Sequence, residues 1–169
     1  IPDVSGRAYG TFLSDSLSAE YLLANLPEIT DPLLKGIIWI NMYENVVNGT
    51  VSPVDFCETA LRDLQVISDL QLRNYVSGRF ASVWWNRLTP GEQSARAAKT
   101  ESFLQGKLAS AETPAEKRAW LATLRNVTVT PGGMNYLAAA WKSGELPGAA
   151  IPGGSPAAKV KLSEDELCT

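Results

Sequence analysis

Six carboxylates stand between positions 31 and 69: Asp31, Glu44, Asp55, Glu58, Asp63 and Asp69. Two carboxylates in unlike surroundings are the smallest set that can do acid–base chemistry, one held protonated and the other ionised. The spacing argues for a plainer use. Asp31, Asp55 and Asp69 lie at or beside expected helix starts, where the helix dipole favours negative charge. Glu58 and Arg62 are four residues apart, an ordinary surface pair on a helix.

Other chemistry is bounded by residue types. The sequence holds no histidine, so a His-containing zinc site, a Ser-His-Asp triad and a Cys-His dyad are all beyond its reach. The two cysteines, Cys57 and Cys168, are too few and too distant for a thiolate zinc site. Cys57 sits among apolar neighbours and reads as a small buried hydrophobe. No Gly-rich loop precedes a Lys-Ser/Thr pair, so phosphate cradling is not indicated. Asn48 in "VVNGT" and Asn126 in "RNVTV" match the glycosylation acceptor, but Asn48-Gly49 equally reads as a helix stop. No catalytic, cofactor-binding or metal-ligating residue is assigned to this chain.

The elements around these residues are helical. The 169 residues, 45% apolar and 20% charged, fall in the soluble globular range, and a domain of this length buries roughly 70% of its unfolded surface. The net charge of −3 is spread as an acidic first half and a slightly basic second half. Neither half has the Lys/Arg cluster interleaved with aromatics that nucleic acid would need. No apolar run reaches transmembrane length.

One start signal recurs: a capping residue followed by Pro at the first helical position, where its missing N–H costs nothing. It occurs at Asp31-Pro32, Ser52-Pro53, Thr89-Pro90, Thr113-Pro114 and Thr130-Pro131. Asp55, Glu92 and Glu116 extend three of these toward capping boxes, and Ser68 with Gln71 suggests another start without proline. Alternate starts are 37 to 45 residues apart, the spacing of two helices per repeat in HEAT and armadillo solenoids. The expected fold is therefore all-α, a HEAT/armadillo-like helical-repeat array with a short extended or β segment at the N-terminus.

The periodicity within segments agrees. Leu34, Ile37, Ile38, Met42 and Val46 form one stripe, widened by Trp39, Ile40, Tyr43 and Val47, which predicts a helix buried on most sides. Gly49 fits the left-handed position that ends it. Leu72, Val76, Phe80, Val83 and Trp84 mark the inner face of another helix, and "LSAEYLLANLP" makes a short one ending before Pro27. Residues 1–14, "IPDVSGRAYGTFLS", lack helical period and read as an extended arm. The helical array covers 15–143. Residues 144–162, rich in Gly, Pro and Ala, read as a flexible linker. Residues 163–169 begin a helix with Ser163 and Glu166, so the chain is expected to be a fragment of a longer protein.

"IPDVSGRAYGTF", "LLANLPEITDPLLKGIIWINMYENVVNGTVSPVDF", "WWNRLTPGEQ" and "KVKLSEDEL" together resemble the C-terminal helical domain of aminopeptidase N-like zinc metallopeptidases, in the form found in Bacteroides-type bacteria. The Tyr-Gly-x-Phe run at Tyr9, Gly10 and Phe12 is similar to the family's strand leaving its β-sandwich domain. The resemblance implies a non-catalytic domain that covers the active-site chamber and restricts peptide access. Its partners would be the parent's catalytic and β-sandwich domains and peptide substrates, with no nucleic acid and no membrane span. Zinc is implied only for the missing catalytic domain, with no cofactor in this chain, and export to the periplasm or cell envelope follows if the parent is such an enzyme. A helical-repeat interaction module with no enzymatic parent is the alternative.

Within this family a Gly-x-Met-Glu-Asn strand holds the substrate's N-terminus, and "PGGMNY" at 131–136 looks like a damaged copy. The carboxylate that would bind the substrate's ammonium group is missing, since Asn135 directly follows Met134. Thr130-Pro131 instead repeats the helix-start signal, and Met134, Leu137, Ala138 and Trp141 follow at helical spacing. The expectation is one more packing helix with a glycine-weakened first turn.

Overall fold

The structure, a computed structural model, describes residue 10, residues 12–143 and the backbone of residues 145–146 and 160–161. Most of the expected 1–14 arm, most of the 144–162 linker and all of 163–169 lie outside the described residues. Within them the chain is all-α. Seven α-helices follow in order: α1 (Ser16–Asn25), α2 (Pro32–Val47), α3 (Pro53–Asp63), α4 (Leu70–Asn86), α5 (Pro90–Ser110), α6 (Pro114–Val127) and α7 (Pro131–Ser143). A 3-10 turn at Leu26–Glu28 follows α1 and takes in Pro27. Glu145–Leu146 (β1) pairs antiparallel with Val160–Lys161 (β2), a pairing that no hairpin signal in the sequence anticipates. No described helix is long and apolar enough to cross a membrane.

The helices begin where a side chain can satisfy the first unpaired amides. Asp31 accepts from the Leu33 and Leu34 amides at 2.9 and 3.2 Å. Thr89 and Thr113 form full capping boxes with Glu92 and Glu116. At Ser52 the hydroxyl accepts from the Asp55 amide, but the shorter aspartate does not complete the reciprocal bond. The start expected at Ser68 belongs to Asp69, whose carboxylate accepts from the Leu72 amide at 2.7 Å. Ser68 is still in the turn: the neighbouring Ile67 amide donates to the Asp63 carbonyl, and its carbonyl accepts from Arg73.

The box at α5 has a pH signature. Glu92 accepts from both the amide and the hydroxyl of Thr89, each at 2.8 Å, and the amide bond above all lowers its pKa below the ordinary 4.5. A carboxyl whose folded pKa is depressed stabilises above its unfolded value and loses that contribution as pH falls through its folded one. Thermal midpoints measured from about pH 5 to about pH 3 should therefore fall less in Glu92→Gln than in the parent chain. An identical fall would show that the box contributes nothing to acid sensitivity.

The chain divides into two compact units, residues 1–88 and 89–169. In the first, α3 packs on α1, α2 and α4, and α2 packs on α4. Its core joins Ile38, Trp39, Met42 and Val46 of α2 to Phe56, Cys57 and Ala60 of α3 and to Val76, Phe80, Val83 and Trp84 of α4. Trp39 meets Phe56 edge-on, ring centroids 5.0 Å apart, an arrangement the ring quadrupoles favour. The α4 stripe is buried as its spacing requires. Helix α2 is buried on most sides, as expected: Leu33, Ile40 and Val47 make one exposed stripe, and Lys35, Asn41 and Asn45 join the apolar residues inside. Beyond α2 the chain reverses at Gly49, whose φ of +76° is strained for any residue with a side chain.

In the second unit a three-residue connection (111–113) folds α6 back along α5. Ala97, Leu104 and Leu108 of α5 are buried, as are Trp120, Leu121, Leu124 and Val127 of α6. Helix α7 starts at Pro131 as expected, with the Thr130 hydroxyl accepting from the Gly133 amide at 3.0 Å. Its inner face is not the expected stripe. Met134 and Trp141 are 52% and 60% exposed, and Gly133 and Ala140 are buried.

Candidate functional site

Four charged side chains are buried among the described residues: Lys35, Asp63, Arg73 and Glu101. A buried charge costs several kcal/mol unless it is paired, so each marks either an active group or a structural tie. Asp63 ends α3, at the helix terminus where a negative charge is least welcome. Its Oδ1 lies 2.7 Å from the Lys35 Nζ, and its Oδ2 accepts from the Trp39 indole N–H at 2.6 Å. Lys35 also reaches the Pro27 carbonyl, at 3.5 Å. The Asp63 carboxylate thus ties α3 to α2, and the Lys35 ammonium extends the tie to the 3-10 turn. Arg73 on α4 donates from Nη2 to the Ile67 carbonyl at 2.8 Å, closing the turn between α3 and α4.

Lys35 borders a cleft of about 570 Å³ whose walls include Pro27, Ile29, Pro32, Ile67 and Leu72, with Thr30 and Ser68 supplying hydroxyls. Its volume would suit a small ligand. The ammonium at its edge is nevertheless committed to Asp63 and Pro27. Asp69, which also lines the cleft, accepts from the Leu72 amide as the cap of α4.

Glu101, on α5, plays the corresponding part in the second unit. Its Oε1 accepts from the amides of Val129 and Thr130 at 2.8 and 2.9 Å, and its Oε2 accepts from the Thr130 hydroxyl. A buried carboxylate thereby receives the chain as it enters α7, where the positive end of the helix dipole also faces it. A Cβ on Gly133 would meet the Glu101 Cδ at 2.8 Å and the Thr128 Cγ2 at 2.7 Å. This is why α7 turns its small residues inward and leaves Met134 and Trp141 outside.

A third group lies on the surface of the first unit. The Arg79 guanidinium stands 4.4 Å from the Tyr43 ring centroid and 5.0 Å from that of Tyr75. The Tyr43 hydroxyl shares a 3.1 Å hydrogen bond with Ser82. Burial pushes the Tyr75 hydroxyl above its ordinary pKa, partly offset by its bond to Arg79. A cation held between two tyrosine rings is a stabilising contact of α2 with α4.

No family model, curated protein or solved structure matches this chain.

The six carboxylates raised by the sequence thus have separate places. Asp31 and Asp69 are caps, Asp55 lies in the first turn of α3, Glu44 and Glu58 stand on α2 and α3, and Asp63 is the buried tie. Arg62, expected to face Glu58, donates to the Leu23 carbonyl at 2.8 Å and to the Thr59 hydroxyl at 3.0 Å. Cys57 is buried, and Cys168 lies outside the described residues. No group of three or more Cys, Asp or Glu gathers among the described residues.

Of the two glycosylation acceptors, Asn48 is exposed at the end of α2, whereas Asn126 sits in the last turn of α6 with its Thr128 buried and bonded to the Leu124 carbonyl at 2.6 Å. Residues that sequence reasoning passed over, Lys35, Asn45 and Glu101, had a signal. Each occupies a helical position within an apolar stripe, such as Ala97-Glu101-Leu104-Leu108.

Proposed function

We propose that this chain is the non-catalytic C-terminal helical domain of a zinc-dependent aminopeptidase, where it covers the active-site chamber and limits which peptides enter. The observation that carries this reading is the use of the buried charges. Lys35, Asp63, Arg73 and Glu101 are all tied to other parts of the fold, as expected of a domain that supplies shape while another supplies chemistry. The sequence resemblance supports it, because "DPLLKGIIWINMYENVVNGTVSP" spans the whole of α2, its Gly49 turn and the start of α3. Paired helices at a 37-to-45-residue spacing are also suited to a HEAT-like concave wall.

The test is to read the parent reading frame and then compare two proteins. A His-Glu-x-x-His segment upstream is expected, and the parent enzyme with this chain removed should lose its discrimination between short and long peptides in kcat/KM. The isolated chain should retain no stoichiometric zinc and hydrolyse no aminoacyl reporter. A parent frame without the zinc motif, or turnover by the isolated chain, would overturn the reading. The second reading, a helical interaction module with no enzymatic parent, draws on Leu17 and Tyr21, exposed four residues apart on α1. The missing zinc motif would favour it.

A further inference from the structure

We propose that Asn48 is a self-modification site, converting to aspartate and isoaspartate by intramolecular deamidation at a rate set by the end of α2. Asn48-Gly49 is the only Asn-Gly pair in the sequence. A following glycine leaves the approach of its backbone nitrogen to the asparagine side chain free of any Cβ. In this chain a Cβ at position 49 would have open space around it, so nothing packed nearby hinders the approach either. Asn48 itself is exposed, and water, the one co-reactant, is at hand.

The step balances without any cofactor. The Gly49 backbone nitrogen attacks Cγ of Asn48, and a new C–N bond closes a five-membered imide. The bond from Cγ to Nδ2 breaks, and Nδ2 leaves as ammonia, carrying the proton lost by the Gly49 nitrogen. Water then opens the imide at either carbonyl. One opening gives aspartate; the other gives isoaspartate, with the main chain rerouted through the side chain.

Both reacting groups are restrained in the folded chain. The Asn48 Nδ2 donates to the Glu44 carbonyl at 2.8 Å, which lays the amide back along the helix. The Gly49 N–H donates to the Val46 carbonyl at 3.1 Å, so the nucleophile is occupied. The turn is held in turn by Asn45, whose carbonyl accepts from the Thr50 amide at 2.9 Å and the Thr50 hydroxyl at 3.0 Å. Reaction therefore waits for the last turn of α2 to open, a local fluctuation that needs no global unfolding.

The product does not fit the turn it came from. Aspartate at this position offers no donor to the Glu44 carbonyl and places a negative charge at the negative end of the helix dipole. Isoaspartate lengthens the main chain by a methylene between α2 and Thr50, drawing Thr50 off Asn45. Each conversion loosens the restraint that had slowed it.

The experiment incubates the whole chain at neutral pH, folded or in denaturant. It then reads each asparagine by proteolysis and mass spectrometry, with an isoaspartyl methyltransferase to count isoaspartate. Asn48 is expected to convert before any other asparagine in the unfolded chain, and at least about tenfold more slowly when folded. Thr50→Val should move the folded rate toward the unfolded one. Equal rates in folded and unfolded chain, or earlier conversion at another asparagine, would overturn the proposal, and this comparison stands whether or not the variant folds.

Discussion

Asp63→Ala is expected to destabilise the first unit by about 3–5 kcal/mol, the cost of leaving a buried charge without its partner. The loss falls on two groups at once. Lys35 loses an oxygen at 2.7 Å while its side chain stays buried, and the Trp39 indole N–H loses its acceptor. An unmet buried donor alone costs about 1–3 kcal/mol. Replacing both charges, as in Lys35→Met with Asp63→Leu, should recover most of the loss, because well-packed apolar groups often match or exceed a buried ion pair. Urea unfolding of the single and double variants gives the coupling, expected above about 2 kcal/mol. Single-variant losses that simply add would mean that the tie between α2 and α3 has no energetic weight.

The adjacent glycines of α7 should respond to alanine with opposite signs. Glycine inside a helix costs about 1 kcal/mol relative to alanine. At Gly132 a Cβ would find only the Thr130 hydroxyl, at an ordinary 3.8 Å, so Gly132→Ala should stabilise by about 0.5–1 kcal/mol. At Gly133 the same methyl collides with the Glu101 carboxyl and with Thr128. Neither can withdraw freely, since Glu101 is held by three bonds to residues 129 and 130. Gly133→Ala should therefore destabilise by about 1–3 kcal/mol, the usual cost of overpacking, despite its gain in helix propensity. Thermal unfolding of the two variants decides it, and stabilisation by both would show that Glu101 does not sit against α7.

The contrast marks what was legible in the sequence. Helix starts were, because a cap and its amide lie within three residues of each other: the expected caps at 31, 52, 89, 113 and 130 all hold. At Ser68-Asp69, two adjacent capping residues compete, and the bonds that decide between them run to Asp63 and Arg73. The inner face of α4 was legible because its buried residues are large and apolar. That of α7 was not, because it is made of Gly133 and Ala140 and shaped by a carboxylate about thirty residues earlier. The pair Lys35 and Asp63, 28 residues apart, could be suspected from two charges on apolar stripes, but their partnership is a matter of helix packing. Local patterning alone could not distinguish a structural tie from an active group.

Asn45 also gives the fold a mechanical property. Its side-chain amide donates to the Phe12 carbonyl at 2.9 Å and accepts from the Ser14 amide at 2.8 Å, as a neighbouring strand would. One side chain thus stands in for a strand, and grips the main chain just before α1 begins. Tension applied from upstream of residue 12 is shared with the C-terminal turn of α2 and is not borne by α1 alone. The same asparagine fastens Thr50 on the other side, so a pull on the arm loads the α2–α3 turn directly. The chain enters this unit through a clamp seated on the turn that ends its most apolar helix.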